Sequence, residues 1–397
     1  MKAKTLIMTI LLILMITIGW TQPVNYNAGI LKLVPETSFL SNADWKALFH
    51  DESQTNAAEK AGLMKQVLVG PDEQIFISDR NTFTITILDK TGRVVKTFGK
   101  KGGNPGEFAN NQDLDGILND KLLVVSDNQG RINFFDLQGN FVHLITIDFM
   151  PLGVYPLKSG NLIVWGHVPV AGNQSKSVLA EVEYTSGRYK VFYENVKPNE
   201  RPSIITVPKD KNLIAFGAPY SAGREMIRVT SDDRVILADN SSNKIALYTK
   251  IAGKYQKSEF TINTEPIKIG EQEKEEYYQK LKERLQKNGM DVSYAEKAKA
   301  EGFFPEYLPY FYNLVLDDKN NSLFFIYTNQ KNEDYAFQAY SIDGKFLGKS
   351  EFKIEGYDLL SNMRSFKFTD GFVYTIALKK GEESPLRILK CKIVNAD

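Results

Sequence analysis

The chain has one cysteine, three histidines and no excess of charge of either sign. Each shortage removes a class of protein. A single cysteine, Cys391, builds neither a disulfide framework nor a cysteine metal cluster. With 397 residues, 43% of them hydrophobic, the core needs no such staple. Cys391 lies in the last strand-like run, where a small buried hydrophobe is the expectation. Lys and Arg number 49 against 48 Asp and Glu, so no basic field exists for nucleic acid. The apolar run Leu6 to Ile18 is too short for a confident transmembrane helix. It follows Lys2 and Lys4 and ends at the break Gly19 to Pro23, the pattern of an export signal. We expect residues 1–21 to be the signal and the mature chain to run from Gln22 to Asp397. The alternative is an uncleaved N-terminal anchor. No cysteine follows the run, so no lipoprotein acylation site is present. The expected location is periplasmic or extracellular.

What the sequence has in quantity is a repeated unit. "QIFISDRNTFTITILDKTGRVVKTFG" from Gln74 and "KLLVVSDNQGRINFFDLQGNFVHLITI" from Lys121 share one frame. An alternating apolar run leads to Ser-Asp, a polar turn, a second run, Asp-x-x-Gly and a third run. Looser copies begin at Asn161, Arg234 and Ser322, and a last one near Gly371. Period-two alternation of β-branched and aromatic residues is the mark of strands. Repeats of about 40–50 residues made of short strands imply a solenoid or propeller. Gly92, Gly139, Gly187, Gly253 and Gly344 recur at one place in the frame, as a tight hairpin requires. The expectation is an all-β, six-bladed β-propeller with four-stranded blades. The last unit lacks its outer strand, and "GILKLVPET" from Gly29 is suited to supply it and close the ring. The stretch Asn195 to Arg224 is weaker, and "KNLIAFG" there would give an extra strand pair and a seventh blade.

One segment departs from the β pattern. Residues 268–305 are rich in helix formers, with Tyr277, Tyr278, Leu281 and Leu285 on one face. Asn288-Gly289 marks a stop, and Asp291 or Ser293 caps a second helix. This helical insertion lies between blades four and five. Strand direction alternates within a blade, so links between blades share a face with the loops that follow second strands. Arg80, Asn128, His167, Asn240 and Asn329 follow second strands. They are expected around one mouth of the channel, with the helices as a partial cover.

"FGKKGGNPGEF" from Phe98, followed by "LLVVSDNQGRINFFDLQGNFV", resembles the NHL-repeat pattern. Gly99, Gly102, Gly106, Phe108, Asp127, Arg131, Ile132, Phe135, Asp136 and Gly139 match it. The whole chain is similar to six-bladed NHL-like propeller proteins exported by Bacteroidetes. The match is strong over residues 75–147 and weak in units three, four and six, where Trp165-Gly166 and Ala377-Leu378 replace the blade Asp. The resemblance implies fold more than function, because such propellers include binding scaffolds, lyases and lactone hydrolases.

The glycine-rich loop is not a phosphate cradle: it lacks the GxxxxGK[ST] order and opens no helix. Asp79, Asp127 and Asp239 share one column of the repeat, where an Asp accepts N–H bonds within its own loop. Amidating-lyase propellers want several histidines around zinc. Here His50 is in the N-terminal segment, His143 in an outer strand, and only His167 in an expected channel loop. Gluconolactonase-type propellers hold calcium with oxygen ligands, which Asn128, Asn240 and Asn329 would supply. No Gly-x-Ser-x-Gly elbow is present. The favoured reading is therefore a non-enzymatic binding or scaffold propeller without a cofactor. Its partner would be a peptide, glycan or protein, contacted by Tyr307 and Tyr310 with Arg80, Asn128, His167, Asn240 and Asn329. The alternative is a calcium- or zinc-dependent hydrolase or lyase in the same channel.

Overall fold

A computed structural model describes residues 24–49, 65–110, 112–170, 174–196, 204–209, 212–217, 223–300, 306–327, 335–359, 366–369, 371–382 and 386–395. The strands form six antiparallel blades. Blade one comprises Lys65–Val69, Ile75–Asp79, Thr84–Leu88 and Val94–Phe98, from channel to rim. Blade two comprises Asp113–Leu118, Leu122–Asp127, Arg131–Asp136 and Phe141–Thr146. Blade three comprises Met150–Pro156, Leu162–Val170, Gln174–Val182 and Tyr189–Val196. Blade four comprises Glu225–Val229, Val235–Asp239, Lys244–Ile251 and Lys254–Thr261. Blade five comprises Asn313–Asp317, Ser322–Tyr327, Tyr335–Ser341 and Phe346–Lys353. Blade six comprises Phe366–Thr369, Phe372–Lys379, Leu386–Asn395 and, last in space, Gly29–Pro35.

The apolar pattern shows why these strands stack as blades. Alternate residues of a strand face opposite sides. In blade two, Leu123 and Val125 pack toward blade one and Val124 toward blade three. A blade buried on both faces therefore reads as a nearly continuous apolar run. Six hydrophobic clusters result, each joining two neighbouring blades, including one between six and one around Ile376, Ile388, Ile75 and Ile77. The ring is thus closed by packing.

It is also closed by hydrogen bonding. Gly29–Pro35 pairs antiparallel with Leu386–Asn395 and parallel with Phe346–Lys353, joining blades five and six into one sheet. Leu31 and Leu33 bury completely or nearly so beside Cys391. Burial pushes the Cys391 thiol up to about 12, so it behaves as a small hydrophobe. Gly348 is required here: a Cβ on it would lie 2.4 Å from the backbone of Tyr26. The five hairpin glycines, Gly92, Gly139, Gly187, Gly253 and Gly344, all have positive φ. Asp89 and Asp136 open two of these turns by accepting the N–H of Thr91 and Gln138.

Two features go beyond the sequence reading. The inner position of blade six is shared by Phe366–Thr369 and the short strand Tyr357–Leu359, both paired with Phe372–Lys379. The strand pair within Asn195 to Arg224 exists, as Ile204–Lys209 with Asn212–Gly217, but it is an isolated hairpin and adds no seventh blade.

A helix, α1 (Trp45–Phe49), packs into the seam between blades six and one. The insertion forms helices α2 (Glu271–Lys287) and α3 (Ser293–Ala300). Asn288 ends α2, Gly289 takes φ 66, and Asp291 accepts the Ser293 N–H at 2.9 Å. Tyr278, Leu281 and Leu285 bury against Met290, Ala295 and Ala298 and against Val207 of the isolated hairpin. The apolar helical face therefore meets a second inter-blade insertion. Among the described residues no helix is long and apolar enough to cross a membrane.

Candidate functional site: the propeller channel and its capped mouth

A channel cavity of about 290 Å³ is lined by the inner strands of all six blades. Val67, Asp115, Val154, Arg228, Val315 and Lys367 each represent one of them. Links between blades and loops after second strands lie at one mouth. There the link from α3 into blade five touches the loop after the second strand of blade four, through the Tyr310 N–H and the Asn240 carbonyl (2.8 Å). The helices and the isolated hairpin both belong to inter-blade links, so a two-part cap stands on this face.

The residues expected at that mouth prove to have different tasks. Arg80 is mostly buried, ion-paired with Asp113 and bonded to the Gln112 carbonyl at 3.3 Å. Gln66 also donates to Asp113 (2.6 Å) and accepts the Leu114 N–H (2.5 Å). This network ties blade one to blade two. Asn240 is 2% exposed, and its side-chain oxygen accepts the Arg224 N–H at 2.8 Å. Its amide thus ties the loop after the second strand to the entry of the inner strand of the same blade. Asn128 differs: its side-chain oxygen is buried and has no hydrogen-bond partner. Asn329 and His50 lie outside the described residues. His167 is a correction. It is inside the second strand of blade three, paired with Met150 and Ser177, and not in a loop. Trp165-Gly166 stand where the blade Asp ends the second strand in other units, but a nine-pair ladder with Gln174–Val182 carries this strand on to Val170. Tyr307 is 44% exposed on the link, bridging to Lys268. Tyr310 is half-buried against the core between blades four and five. His143 stacks on Phe134 at 4.2 Å in an outer strand.

The aspartate column is structural. Asp79 and Asp239 accept the N–H groups of Asn81 and Ser241 at 2.8 and 2.9 Å. Asp127 accepts the Gln129 and Ala109 N–H groups and pairs with Arg131 at 3.5 Å. The glycine-rich loop is the expected blade-to-blade turn. Phe108 plugs the core between blades one and two, and Arg131 holds the Asn104 and Glu107 carbonyls.

The sequence reading missed the charges inside the channel. Asp115 sits at a bulge of the blade-two inner strand. One carboxylate oxygen accepts the Val154 N–H (2.9 Å) and the other the Ser126 N–H (2.8 Å), which links blades two and three. Burial pushes its carboxyl up to about 7 against those bonds and the pull of Lys367. Burial, with Arg228 nearby, brings the Lys367 ammonium down to about 8, while Asp115 opposes the fall. The Arg228 guanidinium is likewise lowered by burial. Burial raises the Tyr155 phenol to about 12. A signal was present: a charge in mid-strand of an apolar inner strand, as in "DLDGIL", "EMIRV" and "FKFT". At the mouth between blades three and four, buried Glu225 accepts Trp165 Nε1 (3.2 Å), Tyr193 OH (3.0 Å), Asn195 Nδ2 (3.1 Å) and the Ser177 hydroxyl. Among the described residues no group of three or more His, Cys, Asp or Glu side chains is placed to hold a metal ion.

No curated protein sequence matches the chain. Among solved structures, a member of the DUF4221 family from Bacteroides vulgatus is 11% identical, over 92% of this chain and 97% of that one, with a TM-score of 0.47. A streptogramin B lyase is 13% identical, over 84% and 94%, with a TM-score of 0.40. A gluconolactonase from Xanthomonas campestris is 8% identical, over 83% and 87%, with a TM-score of 0.42. Residues 55–233 match the profile of a family described as DUF5128, 6-bladed beta-propeller, in accord with the six blades seen here.

Proposed function

We propose that the protein is an exported binding propeller that recognises a peptide, glycan or partner protein on the capped face of its channel. One observation carries the reading. Two separate inter-blade links are enlarged, into α2–α3 and into the hairpin 204–217, and they pack on each other through Val207 on the mouth face. Neither is part of any blade, and a closed ring needs neither for its core. The exposed Tyr307 beside this cap offers contact area at low entropic cost. The Asn128 oxygen, buried without a partner, offers an acceptor near the same mouth. That oxygen is also what favours the second reading, a metal-dependent hydrolase or lyase, since a cation would satisfy it.

The test is a glycan array and a peptide array probed with the mature chain from Gln22 and with a variant whose residues 268–305 are replaced by a short Gly-Ser linker. The reading expects ligands bound by the former and lost by the latter, with unchanged β-sheet circular dichroism. Equal binding by both would remove the cap from the function. Calcium-dependent turnover of a lactone by the mature chain would replace this reading with the second.

A further inference from the structure

Deep in the channel the charges do not cancel. Asp113 is matched by Arg80 and Gln66. That leaves two cations, Lys367 and the neighbouring Arg228, against the one further carboxylate, Asp115, which lies near Lys367 and Arg80, and both of its oxygens are occupied by backbone N–H groups of blades two and three. Asp115 makes no ion pair with either cation. Arg228 donates one hydrogen bond, to the Ile227 carbonyl at 2.7 Å, out of the five that a guanidinium offers. Among the described residues the Lys367 ammonium has no hydrogen-bond partner at all. Tyr155 adds a hydroxyl on the same wall. Both cations are half-buried, and cations withdrawn from water are normally paired, because an unpaired one loses hydration without return. Two such groups with open donors around one cavity describe a receptor for negative charge.

The remaining walls say what carries that charge. The apolar lining side chains that keep exposed surface are Leu152, Val229, Leu316 and Phe368, on the inner strands of blades three, four, five and six. The volume of about 290 Å³ is at the lower end of small-molecule sites, which run from about 300 Å³. We propose that the channel binds a small organic carboxylate, its charged head on Lys367 and Arg228 and its apolar body against Leu152, Val229, Leu316 and Phe368. Bare inorganic phosphate would leave the apolar half of the cavity unfilled. The site lies within the ring, so it stands or falls independently of what the cap binds.

The experiment titrates the mature chain calorimetrically, in carboxylate- and phosphate-free chloride buffer, with acetate, benzoate, phenylacetate, hexanoate and octanoate at up to millimolar concentration. Benzamide and phenylacetamide serve as neutral isosteres. The expected result is binding by at least one acid with an apolar body, and none by the amides. Lys367→Met should stay folded and weaken that acid roughly ten-fold or more, the effect of one lost charge-assisted hydrogen bond. Arg228→Met should act in the same direction, and Lys121→Met, an exposed charge control, should not. If either channel variant fails to fold, the acid-against-amide comparison still decides. Binding of acid and amide alike, binding of no acid, or a folded Lys367→Met chain with unchanged affinity would each overturn the proposal.

Discussion

Asp115 illustrates how one side chain sets both structure and site. It is a bulged residue whose two oxygens each accept a backbone N–H, one within its blade and one from the next. Asp115→Asn leaves one oxygen for two donors and turns an NH2 toward the other. The expected cost is about 1–3 kcal/mol, read as a lower urea midpoint. An unchanged midpoint would mean the two bonds contribute little. Lys367 titrates with the opposite sign. Its folded pKa of about 8 lies below the ordinary 10.5, so the unfolded chain holds more protons between those values. Stability is therefore lost as pH falls from about 10.5 to about 8 and stays reduced below. Lys367→Met should melt higher than the parent at pH 7, with the gap closing above pH 10. A lower melting temperature for the variant at pH 7 would show Lys367 to be paired and stabilising. Neither residue was legible as a site beforehand. A charge in an apolar strand is visible in sequence, but which charges meet across a ring depends on where six distant strands converge.

At the scale of elements, the sequence was most legible where one turn fixes the backbone. Hairpins built on Gly92, Gly139, Gly187, Gly253 and Gly344 need positive φ, and glycine supplies it locally. It was least legible where pairing partners decide. The repeat frame ends second strands at the blade Asp and so puts His167 in a loop, yet here the facing strand carries the ladder further. The split inner strand of blade six has no local signature either. The seam between blades six and one makes a pH-dependent prediction. Buried Lys390 pairs with Glu36 at 2.9 Å and with Glu73. Lys390 holds the Glu36 carboxyl below the usual 4.5. The pair thus stabilises fully above that value, and its contribution is lost as pH falls through the lowered one. Between neutral and strongly acid pH, the parent should lose more stability than Lys390→Met, as measured by chemical denaturation at each pH. Parallel losses would show the seam charges to be inert. In the cap, Leu285 is fully buried in a cluster formed by α2, α3, Met290 between them and Val207. Leu285→Ala should speed hydrogen exchange across 271–300 and leave Ile75–Asp79 and Leu122–Asp127 slow, because the two clusters share no residues.

At the scale of the whole molecule, everything functional depends on closure. A cavity walled by six inner strands exists only if the ring shuts, and a mouth with a cap exists only if the blades share one axis. The repeat made six blades legible, and the missing fourth strand of the last unit pointed to Gly29–Pro35. The second pairing of that strand with blade five was not legible, since nothing in its own residues distinguishes one edge from two. The lone cysteine allows the closure to be tested covalently. Pro35 and Cys391 face each other directly, on the side of the strand that carries Leu31 and Leu33. Glu36 donates its N–H to the Lys390 carbonyl, so Pro35 and Cys391 form the closer, non-hydrogen-bonded kind of pair, where a disulfide fits. The measurement is the intact mass of oxidised Pro35→Cys mature chain before and after reduction. Closure by the N-terminal strand predicts loss of two hydrogens within a single chain, and a higher melting temperature in the oxidised form. Two free thiols after oxidation, or a disulfide found only between chains, would contradict it.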